Sequence, residues 1–379
     1  MDLITLTKNE LLLKCKELGI SKCKSKNKSH LIQLINLKTN SIVKLDENTS
    51  KIKMNDISYE LEIFLKSIRN KNGTYKRICI SPLRYAGGKS KAIGIILHYL
   101  PKLKEKKIIS PFFGGGSVEL CLSQKLGYKV IGYDIFNMLC NFWNVLIHHK
   151  NEFIQELLKF NITTEEFTYN RHILLNYWNK IKPNDLNYNT KKIVELKDEE
   201  LTMLDNDNIK QAVYYYYNMT LSYGPMFLGW PSSNEINKEK FLRKIEKIKN
   251  SNFINLEIYN QSFENVLTNH INDFLFLDPP YYLEGDSKMF KGMYPNCNFA
   301  IHHNNFNHDL LANMLQNHKG GFIMTYNNCS YIKNLYKDCI FEFPEWQYTY
   351  GQGETRIGKN RQSSNVKESH EIIIIKNPI

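Results

Sequence analysis

Paired cysteines are missing from this chain. Its eight cysteines form no Cys-x-x-Cys, and no Cys/His spacing typical of zinc occurs, so no metal is expected and the chain reads as reduced and intracellular. Long apolar runs are missing as well. Lys8 and Glu10 follow Met1-Asp2-Leu3 almost at once, and nothing approaches the roughly 20 apolar residues of a membrane span. The expected location is cytoplasmic, or nuclear in a eukaryote, neither secreted nor in a membrane. No G-x-G-x-x-G occurs, which argues against a dinucleotide, and no Walker A spacing precedes its one Gly-Gly-Lys, which argues against an ATPase. Acidic residues are in short supply: Lys and Arg number 50 against 38 Asp and Glu, a net charge of +12. Part of that excess accompanies the frequent Lys, Asn and Ile that an AT-rich coding sequence produces; the rest implies a polyanionic partner.

What is present begins with length. With 379 residues, 42% of them hydrophobic, the chain can bury a sizeable core, one large α/β domain with an insertion or an appended module. Thr7 and Glu10 have capping-box spacing, which predicts a helix from about Lys8 to Leu18, stopped by Gly19. A Lys-rich turn follows with Lys22, Lys24, Lys26 and Lys28, then a short helix carrying Leu31, Ile32, Leu34 and Ile35. Leu6, Leu11, Leu12, Leu18 and Ile20 can meet that second helix in a miniature core. Over about Thr5 to Leu37 this pattern resembles a SAP-type DNA-binding motif; the four lysines would give sequence-independent contacts to phosphate. The alternative is a helical hairpin whose lysines solvate its turn. Residues 38–57 read as a polar linker.

Two glycine-rich loops come next. In Tyr85-Ala86-Gly87-Gly88-Lys89, glycines precede a lysine and an apolar helix, Ile93 to Leu100, so backbone N–H groups can approach an anion beside the Lys89 charge. A strand over Lys107–Ser110 leads into Phe112-Phe113-Gly114-Gly115-Gly116 and a helix from Val118, the strand–glycine–helix geometry of a nucleotide site. The next strand, Lys129 to Tyr133, ends at Asp134, where an acid typically accepts hydrogen bonds from ribose hydroxyls. Farther on, Phe274-Leu275-Phe276-Leu277 reads as a buried parallel strand ending in Asp278-Pro279-Pro280-Tyr281-Tyr282. Proline cannot continue a central strand, so Pro279-Pro280 leaves main-chain carbonyls free beside the Asp278 carboxylate. That acceptor cluster suits a planar amino group, with Tyr281 placed to stack on the ring carrying it.

In this order, Tyr85-x-Gly-Gly-Lys89, Phe112-x-Gly114-x-Gly116, Asp134 and Asp278-Pro279-Pro280-Tyr281 resemble the alpha group of adenine-N6 DNA methyltransferases, the Dam-like family, over about Ser81 to Pro378. The resemblance implies an S-adenosylmethionine-dependent enzyme on a Rossmann-like α/β sheet. Its cofactor would be held by Tyr85, Lys89, Phe112, Gly114, Gly116, Asp134 and Asp278. The substrate would be DNA, and a restriction endonuclease is a possible partner. Phe136 stands where the family usually has Asn, and Tyr85 where some members have Trp. Adenine N6 is a poor nucleophile because its lone pair is delocalised. Asp278 and the Pro279 carbonyl, accepting its two hydrogens, would stabilise the charge that develops as the methyl arrives, while Tyr281 holds the ring. The base must leave the duplex first. Methylation at cytosine C5 needs a cysteine, usually after proline, and no Pro-Cys occurs; cytosine N4 stays chemically open, though Ser more often replaces the Asp there.

Between these halves, 151–260 reads as a helical insert at the place of the family's target-recognition region, with helical patterns at Glu152 to Phe160 and Lys238 to Lys249 and irregular polar stretches between. Within it, Tyr214 to Tyr217 and Asn218-x-Thr220 look like the family's segment beside the extruded base, so Asn218 and Thr220 are candidate DNA contacts, although a tyrosine run is also a common core pattern. Trp346 to Tyr350 and Glu371 to Lys376 suggest a closing hairpin whose loop carries the candidate phosphate contacts Arg356 and Arg361. The expected organisation is a small all-α module (1–37), a linker (38–57), a cofactor half (58–150), the insert (151–260) and a catalytic half (261–379). Two other readings are a non-catalytic DNA-binding protein on a methyltransferase scaffold, and methylation of RNA or of protein amides.

Overall fold

The computed structural model describes residues 6–17, 23, 26–29, 31–32, 34–35, 57–181, 196–224, 227–282, 306–344 and 371–379. The chain divides into two compact units, Met1–Glu60 and Leu61–Ile379.

In the first unit, α1 (Lys8–Glu17) starts at the capping box. The Thr7 N–H donates to Glu10 Oε2 at 2.7 Å and the Glu10 N–H to Thr7 Oγ1 at 3.4 Å, so two of the orphan donors at the helix start are satisfied reciprocally. Leu6, Leu11, Cys15, Cys23, Leu31 and Ile35 form a small buried core. Lys28 is exposed and Lys26 partly so. Lys22, Lys24, Leu18, Gly19 and Ile20 lie outside the described residues, as does the expected linker, except that Ile57 already opens α2 (Ile57–Ile68).

The second unit is built on one seven-stranded sheet. Its strands are β1 (Lys107–Ser110), β2 (Lys129–Asp134), β3 (Leu256–Asn260), β4 (Leu275–Leu277), β5 (Phe322–Asn327), β6 (Ile340–Glu342) and β7 (Glu371–Lys376), in the order β3-β2-β1-β4-β5-β7-β6. The first five in that order run parallel, and β7 enters antiparallel between β5 and β6. This is the mixed α/β, Rossmann-like architecture expected. β1 and β4 are neighbours although 164 positions separate Ser110 from Phe274, because the order of strands reverses between them. A reversal of this kind opens a crevice at the carboxyl ends of the two strands. The run Leu275-Phe276-Leu277 is apolar on both faces because β4 is buried on both, at 0, 2 and 0% exposure.

Helix α3 (Ile93–His98) precedes β1, and α4 (Ser117–Leu126), α5 (Asn137–His148), α11 (Phe263–Asn269), α12 (His308–Gln316) and α13 (Ser330–Leu335) lie between successive strands. The insert holds α6 (Lys150–Leu157), α7 (Thr164–Ile181), α8 (Asp198–Thr202), α9 (Asn208–Leu221) and α10 (Lys238–Lys249). Two sequence expectations change here. The stretch taken as irregular contains α7, 18 residues long, whose aromatic and polar residues alternate too closely for a clear helical period. The end of the insert is β3, a strand paired with β2 rather than part of a separate region. The partners of β7 are β5 and the short strand β6; the expected hairpin half at Trp346 to Tyr350 lies outside the described residues.

The tyrosine run is core. Tyr214 to Tyr217 are all buried: Tyr216 stacks on Phe142 (5.6 Å, 5° between planes) and Tyr217 packs on Phe160 at 4.9 Å. Four successive rings point around all sides of α9, which explains why that helix sits among α5, α6 and α7 rather than on the surface.

Candidate active site

The crevice between β1 and β4 gathers the separate sequence motifs. β4 ends at Leu277, and Asp278 follows at the mouth. Lys89 Nζ lies 2.7 Å from its carboxylate and donates to the Gly87 carbonyl at 2.9 Å. Lys89 is only 4% exposed, so this ion pair is shielded on the lysine side and partly open on the other, where Asp278 keeps 23%. The loop at 85–89 therefore does not present its ammonium as a free point charge; it delivers it to the acid at the end of β4. Thr325 of β5 donates its hydroxyl to Asp278 Oδ1 at 2.7 Å. The pairing Leu277↔Met324 puts Thr325 one residue on, level with Asp278.

Tyr281 is held against this pair. Its ring centroid is 5.0 Å from Lys89 Nζ, it lies beside the Tyr326 ring at 5.8 Å with 26° between planes, and its hydroxyl donates to Glu371 Oε2 at 2.5 Å. Tyr326 in turn is hydrogen-bonded to His308 Nδ1. Asn327 donates its amide to the Tyr282 carbonyl at 2.7 Å, pinning the chain just after the two prolines.

On the other side of the crevice the glycines are required by packing. Gly114 and Gly116 have φ of +49° and +62°, where side chains are strained. A Cβ on Gly115 would come within 2.7 Å of the Tyr85 Cβ, and one on Gly114 within 2.9 Å of its ring. Tyr85 thus lies directly on the glycine turn. The Gly114 and Phe136 N–H groups donate to the two oxygens of Asp134, both at 3.0 Å. Burial pushes the Asp134 carboxyl above its usual range, and these N–H groups oppose that shift. Beside it Ile135 is an apolar side chain left 56% exposed. Phe112 packs on Phe263 and Phe306, with centroids 5.6 and 5.7 Å away.

Beneath the crevice is Glu119, an acid in the first turn of α4. It is 2% exposed and accepts from Ser110 Oγ at 2.7 Å. Burial raises its pKa to about 8, a net result in which its hydrogen bonds and Lys89 oppose the rise and the Asp278 charge adds to it.

Arg84, next to Tyr85, reaches the insert. Its Nη1 donates to the carbonyls of Thr220 and Ser222 at 3.0 and 3.1 Å, and lies 3.7 Å from Glu235. These carbonyls are at the C-terminal end of α9, where helix carbonyls lack intrahelical partners. Lys244 completes the cluster, 2.8 Å from Glu235.

Asn218 and Thr220, expected at DNA, need correction. They are 2% and 0% exposed, and Asn218 Oδ1 accepts from the Leu228 N–H at 2.7 Å. The Asn218 oxygen thereby ties down the loop after α9 from inside. The exposed aromatics of that segment are Tyr223 and Trp230, at 56 and 45%; Trp230 lies over the guanidinium of buried Arg171 at 4.5 Å. Arg356 and Arg361 lie outside the described residues. Sequence reasoning missed Glu119, Thr325, Glu371 and Arg84. Only Glu119 carries a local signal, an acid among apolar neighbours after a glycine turn.

A family model described as D12 class N6 adenine-specific DNA methyltransferase matches residues 85–352, more than two thirds of the chain. No curated protein matches. Among the described residues, no helix is long and apolar enough to cross a membrane.

Proposed function

The chain belongs to the D12 class of N6 adenine-specific DNA methyltransferases, and from that premise we propose that methyl transfer takes place at the crevice between β1 and β4, with Asp278, the Pro279 carbonyl and Tyr281 acting on the base. The observation that carries this is the Lys89–Asp278 pair at 2.7 Å, which joins the first motif of the chain to the last at the end of β4.

The residues fit S-adenosylmethionine. A glycine turn without Cβ atoms approaches the crevice. The Asp134 carboxylate accepts backbone N–H groups and has about four lone-pair sites, so a ribose hydroxyl can still be bound. Exposed Ile135 offers an apolar face for a purine. Tyr85, Lys89, Phe112 and Asp278 complete the proposed set. When bound, this cofactor supplies a methyl group already activated on a sulfonium.

The chain's own groups then work on the adenine. Asp278 and the Pro279 carbonyl accept the two N6 hydrogens, withdrawing them from the ring plane and stabilising positive charge as it grows on nitrogen. Thr325 and Lys89 fix the Asp278 carboxylate, so its orientation need not be found during the reaction. Tyr281 holds the extruded ring in line. Lys26 and Lys28, with Lys22 and Lys24, would add contacts to phosphate from the N-terminal unit; a cognate endonuclease is a further possible partner.

The test is incubation of the purified protein with labelled S-adenosylmethionine and unmethylated duplex DNA, beside Asp278→Ala, followed by digestion to nucleosides. Label in N6-methyladenine that falls by more than about a hundredfold in the variant is expected for loss of a group that stabilises transition-state charge. Undiminished transfer by Asp278→Ala would sink the assignment.

A further inference from the structure

Glu371 opens β7 and is buried at 3% exposure. Because β7 runs antiparallel to β5, its first residue, not its last, lies at the carboxyl edge of the sheet, opposite Asn327. The strand thereby carries a carboxylate to the crevice from 90 residues downstream of Tyr281, and the Tyr281 hydroxyl donates to it at 2.5 Å. Van der Waals packing on Tyr326 and the Lys89 ammonium constrain the faces of the Tyr281 ring, while the hydrogen bond to Glu371 fixes where the far end of the ring sits. Hydrogen bonds to a charged acceptor are short and directional.

We infer that Glu371 is a positioning residue for the methyl-transfer step: by accepting from the Tyr281 hydroxyl it holds that ring in the orientation in which it receives the target base. The inference rests on the proposed role of Tyr281. Acting through the Tyr281 hydroxyl, Glu371 should affect the rate with DNA bound and leave cofactor affinity unchanged.

The experiment measures single-turnover methylation, the Kd for S-adenosylmethionine and the thermal midpoint for the full chain and for Glu371→Ala, Glu371→Gln, Tyr281→Phe, Tyr281→Ala and the double variant Tyr281→Phe/Glu371→Ala. Losing a hydrogen bond to a charged group predicts a slowing of about tenfold to a hundredfold in Glu371→Ala, with the cofactor Kd unchanged. Tyr281→Phe should match it, and the double variant should be no slower than either single one, because both remove the same bond. Glu371→Gln should recover most of the rate, since its amide oxygen still accepts. The inference is overturned if Glu371→Ala methylates at the normal rate, if its loss persists undiminished on the Tyr281→Phe background, or if Glu371→Gln is as slow as Glu371→Ala. Should Glu371→Ala not fold, Glu371→Gln with and without Tyr281→Phe completes the same cycle. A Tyr281→Ala enzyme of normal rate would instead refute the stacking role itself. A slow Tyr281→Ala beside a normal Glu371→Ala refutes only the role of Glu371.

Discussion

Glu119→Gln should make the protein more stable at alkaline pH and leave it nearly unchanged at acid pH. Glu119 sits under the crevice with its carboxyl out of water and its pKa raised by burial from 4.5 to about 8. In the native state it is protonated through most of the interval from pH 4.5 to 8, whereas in the unfolded chain it is ionised. The native state therefore binds the extra proton, and stability falls as pH rises through that window. The contribution is intact below 4.5 and is lost as pH climbs through the native pKa. Each pH step costs up to about 1.4 kcal/mol, so the whole interval amounts to something on the order of 5 kcal/mol. Glutamine has no proton to lose, and its oxygen can still accept from Ser110 Oγ. Urea unfolding followed by tryptophan fluorescence is a clean assay, because all four tryptophans, Trp143, Trp178, Trp230 and Trp346, belong to the second unit. The stability of the variant relative to the parent should be near zero at pH 5 and rise by a few kcal/mol (~3) by pH 8. A difference that stays the same at both pH values would refute the reasoning, since a packing effect carries no proton.

Lys89→Met removes the cationic partner of Asp278 and should weaken S-adenosylmethionine binding while lowering unfolding free energy by about 1.5–3 kcal/mol, the range for a hydrogen bond to a charged group; equilibrium dialysis and denaturant titration check the two effects. Arg84→Ala takes a guanidinium from the Thr220 and Ser222 carbonyls and should raise KM for DNA more than KM for cofactor, because the disturbed element is the insert. Equal changes in both would place the effect in the cofactor loop. Gly114→Ala, at φ +49° and against the Tyr85 ring, should reduce cofactor affinity by tenfold or more, measured by calorimetry. Thr7→Ala removes half of a capping box and should cost the N-terminal unit about 1 kcal/mol, seen as lost helicity in circular dichroism.

Local chemistry made the middle of the sheet readable. Leu275–Leu277 is apolar on both faces because both faces are covered, and the following prolines end the strand; the glycine turn between β1 and α4 likewise declares itself through residues that only a tight approach requires. The Thr7/Glu10 cap is four residues long and complete in the sequence. What escaped was defined by partners far away. β3 and β6 are short strands, of 5 and 3 residues, whose pairing comes from neighbours already in the sheet rather than from their own pattern. Tyr214 to Tyr217 carry equal signals for a base platform and for a core, and only the rings of Phe142, Phe153 and Phe160 around them decide the matter. Asn218 follows the same logic: its side-chain oxygen accepts from the Leu228 N–H. Arg84 and Glu371 act across 136 and 90 residues, distances over which no spacing rule operates.

The place of β7 has a consequence for biosynthesis. β5 and β6 emerge from the ribosome before β7, yet they are not neighbours; each is hydrogen-bonded to β7 instead. Until residues 371–376 appear, β5 has a bare edge and β6 has no seat. Long-range strand pairing is slow, and unpaired edges invite association with other chains. Four isoleucines in succession, Ile372 to Ile375, arrive after both neighbours and close that edge. Nascent chains of this protein consequently pass through a stage in which the proposed cofactor residues, Tyr85 to Asp278, have been made but the strand that brings Glu371 to Tyr281 has not, so the crevice is completed only once β7 has been made.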